Sequence, residues 1–239
     1  MKLLRMTTHE FVKLDVSLCF WPVGTVEAHD AGPLGTDVIA PEKLAEDLAP
    51  EFGAVLLPTL PFGLVNSLSG YPGGMWLQSE TYRSMIVELL DSLSISGVER
   101  VVVFNGHGGN SKTLSEALSE VWKSCGVKTA LVDWWVVGDD IAREVFGSSA
   151  GHGGSDELAL VHAAIPDFVP EWDGSGSWLD REGVRTYPVP VCSIRYSDGE
   201  AKPFSAEAAS VYYGRLRDRV RGIVSDILEG WSAGGRPDE

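Results

Sequence analysis

Four short apolar runs rich in β-branched and aromatic residues, at 18–24, 54–60, 101–105 and 129–135, alternate along this chain with segments of helical periodicity. Runs of this kind, bounded by Gly, Pro or polar residues, read as strands buried on both faces. Between them, residues 41–48 carry Pro41 in the first turn, 80–93 follow a Ser79 cap, and 111–125 place Leu114, Leu118 and Val121 on one stripe. Parallel neighbours need a helix-length return connection, so the alternation predicts an α/β fold, a three-layer α/β/α sandwich with a mostly parallel central sheet. The pattern then changes. Residues 184–196 suggest a strand pair and 206–231 a charged helix, read together as an appendage (184–232) on a single domain spanning 1–239, with an unstructured tail at 234–239.

A chain of 239 residues with 44% hydrophobic and 22% charged residues has the composition of an ordinary folded protein. Its net charge of −15 repels nucleic-acid phosphate and anionic lipid, so neither nucleic acid nor membrane is an expected partner. Cys19, Cys125 and Cys192 are widely spaced and form no Cys-x-x-Cys pair, which reads as reduced thiols in a cytoplasmic protein. Residues 1–5 carry charge with no apolar segment behind them, and no run has the length of a bilayer span, so neither secretion nor membrane insertion is expected.

The chemistry concentrates in three stretches. Gly24-Thr25-Val26-Glu27-Ala28-His29-Asp30 follows the first strand directly. In an extended chain Glu27 and His29 project to the same side and aim a carboxylate and an imidazole at one point. Gly32-Pro33 can turn the chain so that Asp37, in Gly35-Thr36-Asp37, returns to that point. Alone, this stretch reads equally well as a polar surface turn.

Asn105-Gly106-His107-Gly108-Gly109-Asn110 lies between the third strand and a helix, where open α/β sheets bind ligands. Its glycines admit close backbone approach and leave His107 as the only strong donor ligand in the turn. Continued through Ser111-Lys112-Thr113 it nearly spells a phosphate-cradling P-loop, lacking only the second glycine, with Asp133 able to pose as the Mg²⁺ carboxylate. That alternative, a nucleotide-binding protein, leaves Glu27, His29 and Asp37 without a role. The third stretch, Gly151-His152-Gly153-Gly154-Ser155-Asp156-Glu157, again frames a histidine with glycines. A Ser155 cap and the helix dipole account for Asp156, whereas Glu157 can point back into the cleft of His152. His9 and His162 read as surface or core residues. Two or three histidines with carboxylates suit Zn²⁺, Mn²⁺ or Fe²⁺ better than Ca²⁺ or Mg²⁺. No Gly-x-Ser-x-Gly elbow occurs and no Cys neighbours these histidines, which speaks against a covalent nucleophile.

These residues resemble the creatininase family of metal-dependent amidohydrolases. The Gly-(Ser/Thr)-x-Glu-x-His opening, the Gly-Thr-Asp, the Asn-Gly-His-Gly-Gly-Asn turn and a His followed five residues later by Glu occur here in the family's order, from Pro22 to Glu157. A weaker echo lies at Pro61-Phe62-Gly63 and Tyr71-Pro72-Gly73. The resemblance implies an α/β/α fold with two divalent transition metals per chain. Glu27, His29, Asp37, His107 and Glu157 match the ligand positions, with Asp37 as the bridge, and His152 matches the proton-handling histidine. Trp134 or Trp135 matches the aromatic cover over the substrate, and Asn110 is placed with them as a substrate contact. It further implies a homo-oligomer that hydrolyses a small-molecule, non-peptide C–N amide bond, cyclic amide or formamide, through a metal-activated hydroxide. A catalytically silent metal-binding member of the fold is the other alternative.

The chain also departs from that family. The loop from His29 to Asp37 is one residue shorter than usual and lacks the family's second histidine. Gly109 stands where creatinine-hydrolysing members carry a metal-binding Glu, and Leu68 where the family has a histidine, so creatinine itself is not the expected substrate.

Overall fold

The computed structural model describes residues 1–66, 68–147, 151–170 and 204–233. Strands β1 (Leu18–Val23), β2 (Val55–Leu56), β3 (Arg100–Asn105) and β4 (Lys128–Asp133) form one parallel sheet in the order β2-β1-β3-β4. Side chains alternate across it with a period of two. Leu18, Phe20, Val102, Phe104 and Val132 enter one core, while Cys19, Trp21, Val23, Val101 and Val103 enter another on the opposite face. Apolar residues on both faces demand cover on both sides, as the sequence predicted for a sandwich.

Helices α3 (Ser79–Ile95) and α4 (Ser111–Cys125) cover the second face through Tyr82, Ile86, Leu90, Leu114, Ala117 and Val121. Helix α2 (Thr36–Leu48) covers the first face, together with α6 (Asp139–Phe146), α7 (Ser155–Ala164) and α8 (Ala206–Ala233). The short helices α1 (Thr8–Lys13) and α5 (Trp134–Val137) complete the described α-helices. The chain leaves β1 for one face and β3 for the other, so the connections diverge at the carboxyl ends of these adjacent central strands. That is the topological switch point at which open α/β sheets bind ligands.

Several boundaries differ from expectation for identifiable reasons. The run at 54–60 is a strand only at Val55–Leu56, because Pro58 and Pro22 on the neighbouring strand have no amide to give the ladder. The run at 129–135 ends at Asp133, and Trp134 and Trp135 open α5 instead. Helix α2 begins at Thr36, which puts Pro41 inside it rather than in its first turn. Pro41 cannot bond the carbonyl of Asp37 four residues back, and Gly24 and Gly106 pack on that carbonyl so closely that a Cβ on either would collide with it. The first turn of α2 thereby lies directly against the ends of β1 and β3. Neither Ser79 nor Ser155 is a cap: both are the first residues of their helices, after Gln78 and Gly154.

The C-terminal helix is not an appendage. Ala209, Tyr212, Leu216, Val220 and Val224 of α8 are buried in the same core as Phe20 and Phe104, so this helix is part of the layer that covers the sheet. The expected strand pair at 184–196, Cys192 and the tail at 234–239 lie outside the described residues. Cys19 and Cys125 are free thiols, and burial pushes Cys19 up to about 12. Among the described residues no helix is long and apolar enough to cross a membrane. A core role for α8 makes Leu216→Ala costly, by about 2–5 kcal/mol. Urea unfolding measures this, and a loss within about 0.5 kcal/mol, as at a surface position, would return α8 to the status of an appendage.

Candidate metal centre

Beyond β1 the chain enters the loop 24–35, in which Glu27 N–H donates to the Leu34 carbonyl at 3.0 Å and Gly32 N–H to the His29 carbonyl at 2.8 Å. Asp30 takes the left-handed conformation in this turn, with φ of 47°. The turn reverses the chain, and Asp37 in the first turn of α2 arrives beside Glu27 and His29, as the Gly32-Pro33 reading required. His107 follows β3 at the start of a short 3₁₀ turn, Gly108–Asn110. Glu157, in the first turn of α7, and His152, in the turn before it, complete the cluster.

Asp37 is the hub. Its Oδ1 lies 2.9 Å from His29 Nε2 and its Oδ2 lies 2.9 Å from His107 Nδ1. His107 Nδ1 is also 3.3 Å from Glu27 Oε1, and His29 Nε2 is 3.8 Å from Glu157 Oε2. Two donor groups capable of holding a cation therefore share Asp37: Glu27, Asp37 and His107 form one, and His29, Asp37 and Glu157 the other. A third joins Glu27, His29 and His152.

Each histidine is turned the same way. His29 Nδ1 lies 3.0 Å from the Glu27 carbonyl and His152 Nε2 lies 2.7 Å from the Ala28 carbonyl, while His107 bonds the carbonyl of Leu64. A carbonyl only accepts, so these ring nitrogens carry the protons, and in a neutral ring the other nitrogen presents a lone pair to the carboxylates. Lone pairs of imidazoles and carboxylates then converge, an arrangement that requires a proton or a metal ion between them. Asp37 Oδ2 is fully buried and accepts no properly oriented hydrogen bond despite the nearby His107. Three largely buried histidine-carboxylate groups with backbone carbonyls fixing the tautomers fit a mixed N/O transition-metal shell.

The electrostatics express the same conflict. Burial pushes Glu27 up to about 7 against the opposing pull of His107, and burial raises Glu157 well above the usual carboxylate range. Burial disfavours the charged form of Asp37, but His29 and His107 overcome it and hold the carboxyl well below its usual value. Burial also opposes charge on His29, yet Asp37 and Glu157 raise it to about 10; His107 is raised as well, against burial, by Asp37 and Glu27. His152 differs, since burial of its ring and the adjacent His29, 4.3 Å away between centroids, lower it to about 4.

Two residues expected at the substrate are elsewhere. Trp134 is 0% exposed and belongs to the core under α8, with its ring edge-on to Trp135, so no substrate reaches it. Asn110 is also 0% exposed: its Oδ1 accepts from Leu64 N–H at 2.9 Å and its Nδ2 donates to the Gly24 carbonyl at 3.2 Å, so it clamps the site loops together instead. Trp135 is half-buried and runs alongside Gly108, next to His107.

Asn105 was not singled out by its residue type, yet it holds His107 in place. Its Oδ1 accepts from His107 N–H at 3.1 Å, and its Nδ2 lies 2.9 Å from the His107 carbonyl and 2.7 Å from Asp133 Oδ1. Its position as the last residue of β3, immediately before the glycine turn, was the available signal. Asp133 is thereby committed to Asn105 and Ser111 rather than to a nucleotide metal. Lys112 is exposed and His107 faces carboxylates, so this turn is no phosphate cradle.

A carboxylate–imidazole cluster at the switch point of a parallel sheet is a candidate cation site on an α/β fold. The model of the creatininase family, described as creatinine amidohydrolase, matches residues 4–178, and the chain belongs to that family. Members of the family are metal-dependent hydrolases that act on C–N bonds. The chain is 27% identical over 168 residues to a creatinine amidohydrolase of Pseudomonas putida, covering 62% of this chain and 64% of that protein. It is 29% identical over 130 residues to a mycofactocin precursor peptide peptidase of Mycolicibacterium smegmatis, covering 48% and 52% respectively. The match thus spans less than two thirds of each of these relatives. A 3-dehydro-scyllo-inosose hydrolase of Thermotoga maritima is 23% identical over 252 residues, covering 90% of this chain and 79% of that protein. A crystal structure of creatinine amidohydrolase superposes with a TM-score of 0.75 at 20% identity over 98% of both chains. A creatininase structure with Mn gives 0.75 at 20% identity over 94% and 97%. These superpositions establish the shared fold.

The raised values of His29 and Glu27 have a direct consequence. Near pH 7 the cluster by itself holds protons, and a cation must displace them, so Zn²⁺ binding releases protons and tightens as pH rises from 6 to 8. Titration calorimetry in two buffers of different ionisation enthalpy measures the release; binding without any would contradict the convergence of lone pairs.

Proposed function

We propose that this chain is an amidohydrolase that works with two divalent transition-metal cations, which Glu27, His29, Asp37, His107 and Glu157 would hold. Glu27 and His107 would serve one cation, His29 and Glu157 the other, and Asp37 would be common to both. The single observation that carries this reading is the convergence of Asp37, Glu27, Glu157, His29 and His107, with each Asp37 oxygen 2.9 Å from a different histidine. Such a cation pair supplies Lewis acidity to a substrate carbonyl and makes water a usable nucleophile near neutral pH.

The chain's own residues supply the rest. His152 is held by the Ala28 carbonyl with its Nδ1 turned to the cluster, 3.6 Å from Glu27 Oε1, and its low pKa keeps it neutral at rest. It therefore acts first as a base: Nδ1 takes a proton from the attacking water and then delivers it to the leaving nitrogen. Trp135, half-buried beside Gly108, forms an apolar wall for the substrate.

The substrate we favour is a small non-peptide amide, cyclic amide or formamide, but not creatinine. Gly109 supplies no carboxylate where creatinine-hydrolysing members have one, and a Cβ there would collide with His107 Nε2, so an acidic side chain cannot be restored without moving that ligand.

Glu27→Ala and His107→Ala should lose bound metal and amide hydrolysis together; full metal content in either variant would remove that residue from the ligand set. His152→Ala should keep its metal, measured by elemental analysis, and lose turnover by about 10²–10⁴-fold. Loss of metal in that variant instead would make His152 a ligand. Zinc- or manganese-loaded protein inert towards cyclic amides, formamides and short peptides alike would overturn the amidohydrolase reading, and cleavage of peptides alone would overturn the substrate class.

A further inference from the structure

The cation cluster leaves Asp156 unused. It stands next to Glu157 in the first turn of α7 but belongs to none of the three donor groups. An acid placed there for the helix dipole alone does its work from water, where its charge remains solvated. Asp156 is 2% exposed, and among the described residues it pairs with no cationic side chain. Burial of a carboxylate in such a place needs another reason.

What its carboxylate holds is backbone. Asp156 Oδ1 accepts from Gly151 N–H at 3.3 Å, and Gly154 N–H donates to the Gly151 carbonyl at 2.8 Å. On the other side of His152, Gly153 N–H donates to Glu157 Oε2 at 2.6 Å, with Gly153 in the left-handed region at φ of 65°. Two neighbouring carboxylates of α7 thus fasten the turn on both sides of the imidazole. Only glycine at 154 permits the closure, because a Cβ there would come within 2.6 Å of Asp156 Oδ1 and 2.7 Å of the Gly151 carbonyl oxygen. The outcome is the ring's placement, with Nε2 2.7 Å from the Ala28 carbonyl and Nδ1 facing Glu27.

We propose that Asp156 is the positioning residue for His152, closing the turn from Gly151 to Gly154 so that the ring's Nδ1 faces the cluster. The inference rests on His152 as the proton carrier for its catalytic meaning, but the placement can be read without turnover. The Zn²⁺-loaded full chain, labelled with ¹⁵N-histidine, reports the tautomer and surroundings of each ring by NMR. Asp156→Asn keeps an acceptor at Oδ1 and should retain the His152 nitrogen shifts of the wild type. Asp156→Leu, which fills the volume without an acceptor, should move His152 towards mixed tautomers. The His29 and His107 signals and the zinc content should stay unchanged. With an amide that the protein hydrolyses, the Leu variant should lose kcat on the order of tenfold or more at constant KM, with rescue by Asn. Should the Leu variant fail to fold, Gly154→Ala, which displaces Oδ1 without removing its charge, must shift His152 alone. Unchanged His152 nitrogens in these variants, or Asn behaving as Leu does, would overturn the proposal. If no amide is hydrolysed, the amidohydrolase reading fails while the nitrogen shifts still decide this one.

Discussion

The structure turns on a buried carboxylate, Asp37, that faces one imidazole with each oxygen. At 2% exposed it cannot borrow its charge stabilisation from water, and burial of an ion without compensation costs several kcal/mol. His29 and His107 supply the compensation from two different loops, one after β1 and one after β3. Asp37 is the one residue of the cluster that meets both loops at 2.9 Å, so it ties the ends of the two central strands to α2. The glycines at 24 and 106 are the steric condition for it, because only they let the strand ends press against the backbone of Asp37.

The fold makes that meeting possible by divergence. Adjacent strands β1 and β3 send their connections to opposite faces of the sheet, which opens a crevice at their carboxyl ends. Into it point the first turns of α2 and α7, with Asp37 and Glu157, and the positive ends of those helices favour negative charge at just these positions. Helix α8 buries the outer side of α7 and so holds the layer that carries Glu157 in register with the sheet. The placement of Glu157 therefore depends on a helix more than forty residues further along the chain.

The cluster is not arranged for its own stability. Lone pairs face lone pairs, the carboxyls of Glu27 and Glu157 are pushed towards their neutral forms, and His29 is driven to hold a proton. A site arranged for stability alone would pair these groups as donor with acceptor. Backbone carbonyls hold the imidazoles in the orientation that prevents this, which is how metal sites commonly fix their histidines. His152 is the one ring driven towards neutrality, and it is also the one on the open side of the cluster, so position and charge state together suit it to move a proton.

Much of this was legible in the chain. Continuous apolar runs separated by helix-length segments specified the parallel sheet and its two covers, because a strand with two apolar faces has no stable alternative to burial on both. The spacing of Glu27 and His29 and the glycine-framed His107 and His152 pointed to residues that the structure brings together, although the first stretch alone read equally well as a polar turn. What sequence left open was reach. Trp134 and Trp135 are chemically identical neighbours, and only the start of α5 sends the first into the core and leaves the second at the rim. Asn110 looked like a substrate contact until its amide proved to be consumed by Leu64 and Gly24, and Asn105 looked like a strand end until it was found holding His107. The sequence by itself determined which side chains could bind a cation and which layers would surround them. Tertiary structure decided which of them meet, because a distance of a few ångströms between loops far apart in the chain is set by packing, such as two glycines against one carbonyl, and no local pattern encodes it.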